Sequence, residues 1–356
     1  MYGVIMAGGQ GSRLRPLTLT RPKPMVEVLG RPVIDYVKDA MLEAGIDNLI
    51  VTTGYRGEQL QKHVSTWPKE ALKYHSRAIS ARINQEDSPM GTAGSVRLLS
   101  DLLTETFVVG SGDSVASFDI SGLLQAHKQS GAKVTMALWE VEDPSDFGIV
   151  GLSTSHNGEL DGELREGYIR KFKEKPSPQE AFSNVINAGL YIIEPEVLEL
   201  VPFGEKFDFS KQLFPMVLEK NWPMYAKTID GVWFDVGNPM ELLNAQSTLV
   251  KRMNELPFPL PNGSILPGDG FCMKDSVILG DVTSSVISSN CKIQERVKIS
   301  NSLLMSGCNV GAKSSITNSV LGQDVIVGNG TTLHNVVIGD GTVIAANSNL
   351  SDQKIS

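Results

Sequence analysis

The chain has 356 residues, of which 41% are hydrophobic and 20% are charged, and its formal net charge is −8. This length favours two domains, and the hydrophobic content is enough for full cores, which excludes a generally disordered protein. The negative charge argues against a nucleic-acid-binding protein, because such proteins present a basic face. Any phosphate binding must therefore come from a local basic site.

The cysteines and the hydropathy of the chain indicate the cellular compartment in which the protein works. Cys272, Cys291 and Cys308 are an odd set without C-x-x-C spacing, which favours a reduced compartment over a disulfide framework or a zinc site. No apolar run approaches the ~20 residues that cross a bilayer, and residues 1–7 lack the basic start of a signal peptide. We expect a cytoplasmic protein that binds neither membrane nor nucleic acid.

Up to about Arg252, short apolar strands alternate with amphipathic segments. The expected strands are GVIMA, NLIVTTG, ARINQ, TFVVGSGD and KVTMALWEV, and the expected helices are PVIDYVKDAMLEAG, GEQLQKHV, GTAGSVRLLSDLL and DISGLLQAHKQSG. This alternation predicts an α/β fold with a doubly wound, mostly parallel sheet covered by helices on both faces. Ligands of such sheets bind at the carboxyl ends of the strands. The glycines after the first strand and the Gly112–Asp113 turn both lie at such ends.

The prolines and glycines of NELPFPLPNGSILPGDG predict a linker at residues 253–263. Beyond it, an aliphatic side chain recurs at every seventeenth position, a spacing that we call the repeat step: Ile293, Val310, Val327 and Ile344 form one column, and Ile287, Leu304, Leu321 and Ile338 another. Asn301, Asn318 and Asn335 keep the same step. One repeat step fits one triangular coil of about three hexapeptide edges, which predicts a parallel β-helix over residues 264–356. Cys291 and Cys308 share the step and are predicted to stack inward.

The loop after the first strand reads GGQGSRLRPLTLTRPKPM and combines glycines with cations. Leu14 stands where a dinucleotide fingerprint needs glycine, and no Gly-Lys of a Walker A loop occurs anywhere in the chain. Glycines let a backbone pass close to a ligand and turn N–H groups toward an anion. Arg13, Arg15 and Lys23 add charges that suit phosphate oxygens. The loop therefore predicts a polyphosphate site.

The motif G-G-x-G-[ST]-R-L followed by P-K-P-M resembles the signature of the sugar-1-phosphate nucleotidyltransferases, or nucleotide-sugar pyrophosphorylases. In the same order along the chain, Q-E-D-S-P-M-G-T-A-G resembles the base-reading segment of that family, and S-G-D-S its metal-aspartate turn. The stretches F-G-I-V, F-K-E-K-P and I-N-A-G-L-Y-I-I resemble its sugar-site segments, and W-F-D-V-G-N-P its second metal-aspartate turn. The C-terminal repeat is similar to the left-handed β-helix that several members carry.

The resemblance implies a reaction in which a sugar 1-phosphate oxygen attacks the α-phosphorus of a nucleoside triphosphate and expels pyrophosphate. Such a reaction needs alignment and charge neutralisation and no Ser–His or Cys–His pair. It makes Arg13, Lys23 and Asp113 catalytic, and it makes Asp113 and Asp235 the ligands of Mg²⁺, which is usually held by one or two carboxylates, phosphates and water. Other residues would bind the nucleotide: Ala7, Gly8, Gly9, Gly11, Ser12, Arg13, Gln85, Glu86, Gly91 and Thr92. The sugar phosphate would meet Gly148, Glu174, Lys175 and Asn187.

The identity of the base depends on Glu86. Members that use uridine or thymidine triphosphate generally carry glutamine at this position, and a carboxylate suits the N1–H and N2–H₂ edge of guanine because it only accepts hydrogen bonds. The segments G-T-A-G-S-V-R-L-L and F-D-F-S-K-Q-L-F-P also look most like mannose-1-phosphate guanylyltransferases. The resemblance thus favours GTP and mannose 1-phosphate. If the chain presents Gln85 instead, a pyrimidine nucleotide and a glucose 1-phosphate thymidylyl- or uridylyltransferase are favoured.

Two alternatives and two departures stay open at this point. The protein could be a non-catalytic relative that senses a nucleotide sugar, or a scaffold built on the β-helix, although neither explains the retention of Arg13, Lys23 and both aspartates. Ser111 and Phe147 depart from the asparagine-like and tyrosine residues that are common in the family. The coil faces and ends of the β-helix predict a homo-oligomer.

Overall fold

The computed structural model describes residues 1–54, 57–256 and 261–356, and these form two compact units. The sheet unit comprises Met1–Gly9 and Ile34–Trp233, and the β-helix unit comprises Gln10–Val33 and Phe234–Ser356. The loop that follows the first strand thus belongs to the same unit as the C-terminal repeat. The boundaries 1–252, 253–263 and 264–356 stay a prediction, and residues 257–260 of the linker lie outside the described residues.

The helices and strands up to residue 251 follow the alternation of the sequence. The helices are α1 (Ile34–Glu43), α2 (Gly57–Val64), α3 (Trp67–His75), α4 (Gly91–Arg97), α5 (Ile120–Ser130), α6 (Phe214–Glu219) and α7 (Pro239–Lys251). The strands are β1 (Tyr2–Met6), β2 (Glu27–Val28), β3 (Arg31–Pro32), β4 (Asn48–Thr53), β5 (Ser80–Gln85), β6 (Phe107–Ser111), β7 (Ser114–Ala116), β8 (Val134–Glu140), β9 (Gly148–Ser153), β10 (Glu166–Glu174), β11 (Val185–Ile193), β12 (Met224–Thr228) and β13 (Trp233–Asp235).

A nine-stranded sheet with the order β5-β4-β1-β6-β11-β8-β12-β10-β9 forms the centre of the sheet unit. β5, β4, β1 and β6 are parallel neighbours, as are β8 and β12. Helices separate these parallel strands along the chain, as a crossover connection requires. This arrangement confirms the α/β fold class.

In the other half of the sheet every neighbouring pair except β8 with β12 is antiparallel, so the sheet is more mixed than the predicted one. β11 pairs antiparallel with β6, β8 and β9, and β10 pairs antiparallel with β9 and β12. Part of the reason is local: β9 and β10 follow one another with no helix between them among the described residues, and neighbouring strands joined in this way pair antiparallel. The pairings of β11 with β6, β8 and β9 join strands that are not consecutive along the chain.

Seventeen short strands from residue 263 onward build the β-helix. They are β14 (Gly263–Leu266), β15 (Gly270–Met273), β16 (Val277–Ile278), β17 (Asp281–Thr283), β18 (Val286–Ile287), β19 (Lys292–Ile293), β20 (Lys298–Ser300), β21 (Leu303–Leu304), β22 (Asn309–Val310), β23 (Ser315–Thr317), β24 (Val320–Leu321), β25 (Ile326–Val327), β26 (Thr332–His334), β27 (Val337–Ile338), β28 (Val343–Ile344), β29 (Asn349–Ser351) and β30 (Lys354–Ile355). They form three sheets, of seven, five and five strands, in which successive coils pair parallel. The first pair, β14 with β15, is antiparallel.

The coils stack in the register that the repeat step predicts. Both aliphatic columns are buried inside the stack, and Cys291 and Cys308 are fully buried with them. Asn301, Asn318 and Asn335 occupy left-handed corner positions with φ of 44°, 51° and 51°, a conformation that asparagine tolerates better than most residues. Their side chains form a ladder, in which Asn301 donates to Asn318 at 2.9 Å and Asn318 to Asn335 at 3.2 Å. The repeat prediction is confirmed.

Candidate active site

Three of the predicted segments lie at one edge of the sheet. β1, β4, β5 and β6 are parallel, so their carboxyl ends share that edge, with Met6 opposite Ser111 and Thr53 opposite Gln85. The ladder continues beyond the strands, where the amides of Ala7, Glu86 and Gly112 donate to neighbouring carbonyls at 2.8, 2.8 and 2.9 Å. The backbone at the start of the glycine loop, the base-reading segment and the first aspartate turn is therefore fixed by the sheet itself.

Gly8 and Gly9 follow at this edge and are exposed. Among the described residues, no heavy atom lies within 4 Å of the position that a Cβ would take at either glycine. Packing inside the protein therefore does not require glycine at these two positions. The open backbone suits the close approach of a ligand.

Asp113 lies in the tight turn between β6 and β7, as the sequence predicts. The Ser111 hydroxyl donates to its Oδ1 at 2.5 Å. Ser111, a departure from the family pattern, thus orients the carboxylate. A hydroxyl that donates to one oxygen leaves further lone pairs on the carboxylate for a cation.

The predicted base-reading segment places Gln85 and Glu86 differently. The Glu86 carboxylate accepts hydrogen bonds from the backbone amide of Met90, at 3.1 Å, which precedes α4, and from the hydroxyl of Ser95 within α4. Gln85 is exposed, and its amide nitrogen donates to the carbonyl of Gly54 at 3.0 Å. Glu86 therefore holds α4 in place, and Gln85 is the more accessible of the two side chains.

Gly91 and Thr92 begin α4 and pack on residues 207–209. Gly91 has φ of +72°, and a Cβ there would lie 2.5 Å from the Phe207 carbonyl oxygen, so only glycine fits. The Thr92 hydroxyl donates to Asp208 at 3.0 Å and accepts from the Phe209 amide at 2.9 Å. The segment F-D-F-S-K-Q-L-F-P therefore supports the start of α4, a role that the sequence does not indicate.

The predicted sugar-site residues Gly148 and Glu174 face each other across β9 and β10. They are register partners, and a Cβ on Gly148 would lie 2.8 Å from a Glu174 carboxylate oxygen. Burial raises the pKa of Glu174, and the nearby Asp208 charge adds to this, whereas Lys175 and Lys211 oppose it. Lys175 itself has φ of 45°, and its amide donates to the Phe147 carbonyl at 2.9 Å.

Asn187 joins this cluster through β11. Its amide nitrogen donates to the Tyr191 hydroxyl at 2.8 Å and to the Ser210 hydroxyl at 3.3 Å, and its carbonyl oxygen accepts from the Gly189 amide at 2.9 Å. Burial raises the pKa of Tyr191, so that the phenol stays protonated. Tyr191, Ser210 and Asp208 are the residues of this cluster that sequence reasoning missed. Tyr191 lies within the motif I-N-A-G-L-Y-I-I, and the apolar residues around it are typical of a buried strand.

The remaining predicted residues lie in the β-helix unit. Gly11 has φ of +63°, and a Cβ there would lie 2.9 Å from Lys23 Cβ and 3.0 Å from Thr18 Cγ2. The Thr18 hydroxyl donates to the Gly11 carbonyl at 2.7 Å. Short 3₁₀ turns at Ser12–Leu14, Leu17–Leu19 and Lys23–Met25 complete the loop. This compact folding brings residues at the two ends of the loop, Gly11 and Lys23, into contact.

The Asp235 carboxylate forms ion pairs with the two cations that are predicted to bind phosphate. Lys23 Nζ lies 2.9 Å from its Oδ1, and the Arg13 guanidinium lies 3.8 Å from its Oδ2. Glu241 caps the start of α7 by accepting from the amides of Gly237 and Asn238 at 3.0 Å each. Burial raises the pKa of Glu241, and the neighbouring Asp235 charge adds to this. Sequence reasoning missed Glu241, which a capping-box pattern N-P-M-E could have revealed.

The structure thus gathers the predicted residues into two groups. In the sheet unit lie the segments of residues 7–9, 85–92 and 111–113 and the pair Glu174–Asn187, and in the β-helix unit lie Arg13, Lys23 and Asp235. Within residues 1–54, 57–256 and 261–356, no cluster of three or more His, Cys, Asp or Glu side chains is arranged to hold a metal ion. In the same ranges, no helix has both the length and the apolar character to cross a membrane.

Comparison with known families identifies the chain. A family model described as "Nucleotidyl transferase" matches residues 2–252. The chain belongs to the nucleotidyl transferase family. A second model, described as "GMPPB C-terminal domain", matches residues 268–356. The family and the α/β plus β-helix architecture predicted from the sequence are both confirmed.

Several curated members of the nucleotidyl transferase family are similar to this chain. A "Mannose-1-phosphate guanylyltransferase catalytic subunit beta" of Drosophila pseudoobscura pseudoobscura is 34% identical over 259 residues, 72% of this chain and 64% of that protein. The protein of that name from Danio rerio is 32% identical over 294 residues, 82% of this chain and 74% of its own length. A "Mannose-1-phosphate guanyltransferase" of Saccharomyces cerevisiae is 32% identical over 276 residues, 76% and 70% of the two chains. The matched region spans less than two-thirds of the Drosophila relative.

Proposed function

We propose that this nucleotidyl transferase transfers a guanylyl group from GTP to mannose 1-phosphate, forming GDP-mannose and releasing pyrophosphate. The relatives named above are mannose-1-phosphate guanylyltransferases. For this chain, the observation that carries the proposal is the position of Lys23 and Arg13 beside Asp235, in the loop that bears the family signature. Two cations held on one carboxylate form a local basic site in a protein of net negative charge.

The proposed reaction needs positioning more than proton transfer. An oxygen of mannose 1-phosphate forms a bond to the α-phosphorus of GTP, and the bond from that phosphorus to its bridging oxygen breaks, so that pyrophosphate leaves as an anion. The nucleophile is already charged, so no side chain has to act as a base. Arg13 and Lys23 hold the triphosphate, and Arg13 neutralises charge that develops on the leaving group.

Asp113 and Asp235 are our proposed ligands of Mg²⁺. The chemistry of the donors fits this ion, because Mg²⁺ prefers carboxylate oxygens together with phosphates and water. Each carboxylate is oriented by a neighbour, Asp113 by the Ser111 hydroxyl and Asp235 by the Lys23 ammonium. A bound Mg²⁺ would supply positive charge to the phosphate oxygens.

The sugar phosphate is proposed to lie against Glu174, Lys175, Asn187 and Gly148. The Glu174 carboxylate would accept from sugar hydroxyls, and the Lys175 ammonium would pair with the phosphate. The contact between Gly148 and Glu174, and the anchoring of Asn187 by Tyr191 and Ser210, support this assignment. Side chains that are locked by their neighbours present a fixed set of polar atoms to a ligand.

One observation favours a second candidate, a transferase that uses UTP or dTTP with glucose 1-phosphate. Both carboxylate oxygens of Glu86 accept hydrogen bonds, one from the Met90 amide before α4 and one from the Ser95 hydroxyl within it, whereas Gln85 is exposed. An amide can both donate to and accept from the edge of uracil or thymine. The two candidates differ in which of these neighbours contacts the base.

A substrate matrix tests the proposal. Nucleoside triphosphates are combined with sugar 1-phosphates in the presence of Mg²⁺, and pyrophosphate release is followed. The highest kcat/KM is expected for GTP with mannose 1-phosphate. Preference for UTP or dTTP would support the second candidate, and GDP-mannose binding without release in any combination would favour a sensor and overturn both.

We also propose that the protein is a homo-oligomer associated through its β-helix and that it works in the cytoplasm. The apolar side chains of Ile326 and Val343 pair on one face of the β-helix and are 46% and 68% exposed, which suits contact with another copy. Cys272, Cys291 and Cys308 are free and buried, which suits a reducing compartment.

A further inference from the structure

An ion pair joins the signature loop to the β-helix inside the β-helix unit. The guanidinium of Arg21 and the hydroxyl of Thr20 both donate to Oδ2 of Asp340. Oδ1 of the same carboxylate accepts from the Gln323 backbone amide at 2.8 Å. The side chains of Arg21 and Asp340 are only 10% and 13% exposed, so this pair is largely shielded from solvent.

A second contact lies beside the first. The Glu27 carboxylate, on β2, accepts from the side-chain amide of Gln323 at 2.7 Å and from the Ser306 hydroxyl at 3.4 Å. Ser306, Gln323 and Asp340 follow one another at the repeat step, so they occupy the same position in three successive coils. A column of three polar side chains on the β-helix therefore binds the segment of residues 20–27 at both of its ends.

Lys23 lies between these two contacts. Arg21 precedes it by two residues across Pro22, and Glu27 follows four residues later. At the other end of the loop, a Cβ on Gly339 would lie 3.2 Å from the Pro16 side chain, so the β-helix backbone also lies close to the loop there. The backbone therefore contacts the β-helix both before and after Lys23, and the orientation of the Lys23 side chain depends on this backbone.

We propose that Asp340 is a positioning residue for the nucleotidyl transfer: it acts through Arg21 and Thr20 to hold Lys23 and Arg13 where the triphosphate binds. This inference rests on the proposed function. The Nε of Arg21 is buried and, among the described residues, has no hydrogen-bond partner, so the guanidinium relies on Asp340. Removal of one partner leaves the other charge largely buried without its hydrogen-bonded counter-charge, with only the Glu27 carboxylate nearby to offset the loss for Arg21, and this displaces the charge and the backbone that carries it. A displacement of about 1 Å can cost about 10²-fold in rate.

The test compares Asp340→Ala, Arg21→Ala and the double variant with Asp352→Asn. Asp352 is a matched control because it lies in the last coil and, among the described residues, its carboxylate accepts a hydrogen bond only from Asn335 of the β-helix. We expect kcat to fall about tenfold or more in both single variants while KM for mannose 1-phosphate stays unchanged. The double variant should be no slower than the slower single variant, because the two single substitutions remove the same interaction. Asp352→Asn should keep the wild-type kcat.

Hydrogen exchange supplies a readout independent of turnover. In Asp340→Ala, backbone amides of residues 10–26 should exchange at least about tenfold faster, while those of residues 286–327 keep their protection. Unchanged kcat and unchanged loop exchange in an active Asp340→Ala protein would overturn the inference and leave the proposed function standing. A loss of protection throughout the β-helix would also overturn it, since Asp340 would then be a stability residue. A wild-type protein without transfer activity would overturn the proposed function and this inference with it.

Discussion

Lys23 Nζ lies 2.9 Å from Oδ1 of Asp235, although 212 residues separate the two in the chain. The Asp235 carboxylate thereby fixes the Lys23 ammonium, which the family signature predicts to bind phosphate. The Arg13 guanidinium is at 3.8 Å from the other oxygen, so the charge of Asp235 keeps two cations together that would otherwise repel each other. The basic site is therefore organised before a triphosphate enters, which lowers the cost of binding it.

Lys23→Ala is expected to reduce kcat by about 10²-fold or more, because it removes a fixed positive charge that holds the triphosphate in position for transfer. Lys23→Arg should recover only part of this loss, since the bulkier guanidinium does not reproduce the position of the ammonium beside Asp235. Pyrophosphate release at saturating substrates measures the effect. Lys292→Ala, at an exposed position on the β-helix, is the control and should behave as wild type. A Lys23→Ala protein with wild-type kcat would contradict the role of Lys23.

Asp113→Ala is expected to abolish turnover, by about 10³-fold or more, while GTP binding measured by calorimetry weakens far less. The reason is that the phosphates keep their contacts with the loop when one metal ligand is lost. Asp119→Ala is a matched control: Asp119 caps α5 by accepting from Gly122 at 2.9 Å, so its loss should cost about 1 kcal/mol of stability and leave kcat unchanged. Unchanged pyrophosphate release in Asp113→Ala would rule out the metal assignment.

Much of the fold follows from local patterns. The strand–helix alternation from Tyr2 to Ser130 predicts most elements there, and the repeat step predicts the β-helix with its buried columns. The helix α3 was missed because WPKEALKYH carries few apolar residues at helical spacing. The antiparallel strands β9–β11 were missed because strand order depends on long-range pairing, which periodicity does not encode.

The candidate site was predictable only in part. Motif order points to Asp113, Glu174 and Asn187: Asp113 follows the end of β6, Glu174 is the last residue of β10, and Asn187 lies within β11. The role of Asp208 was missed, because its contact with Thr92 joins residues 116 apart. The bond between Arg21 and Asp340 was missed for the same reason, since it spans 319 residues. A single sequence shows what is near along the chain and shows little of what folding brings together.

The substitution Glu86→Gln tests whether Glu86 or Gln85 contacts the base of the nucleotide. If the carboxylate contacts guanine, the ratio of kcat/KM for GTP over UTP should fall about tenfold or more, because the amide nitrogen would face guanine donors. The substrate matrix measures this ratio. Ser95→Ala removes a hydrogen bond to Glu86 and keeps the charge, so it should leave the ratio unchanged. An unchanged ratio in Glu86→Gln would mean that Glu86 only supports α4 and would favour Gln85.

Self-association is tested by sedimentation. The wild-type protein is expected to sediment as an oligomer at micromolar concentration, and Ile326→Lys should shift it toward the monomer, because a charge on an apolar contact must be desolvated. Leu72→Lys is the control, since Leu72 is 62% exposed on α3 of the sheet unit. A monomeric wild-type protein, or equal effects of the two substitutions, would contradict association through the β-helix.

The ionisation of Glu174 is expected to determine how the activity falls at low pH. Burial raises its pKa, so the native state holds the proton at pH values where the unfolded state has lost it. The contribution to stability is therefore complete below the ordinary pKa and is lost as the pH rises through the raised one. Activity runs the opposite way, because the ionised carboxylate accepts more strongly from sugar hydroxyls than the protonated group does.

Glu174→Gln is consequently expected to lower kcat/KM for mannose 1-phosphate about tenfold or more at neutral pH while leaving stability unchanged or increased there. The ratio of wild-type to variant kcat/KM should fall as the pH drops through the raised pKa, and urea midpoints at each pH measure the stability. Glu180→Gln is the control, because the hydrogen bond from Lys173 lowers the pKa of Glu180 to about 2, below the range assayed. A pH-independent ratio, or a variant less stable than wild type at neutral pH, would contradict a half-buried, ionised carboxylate at the sugar site.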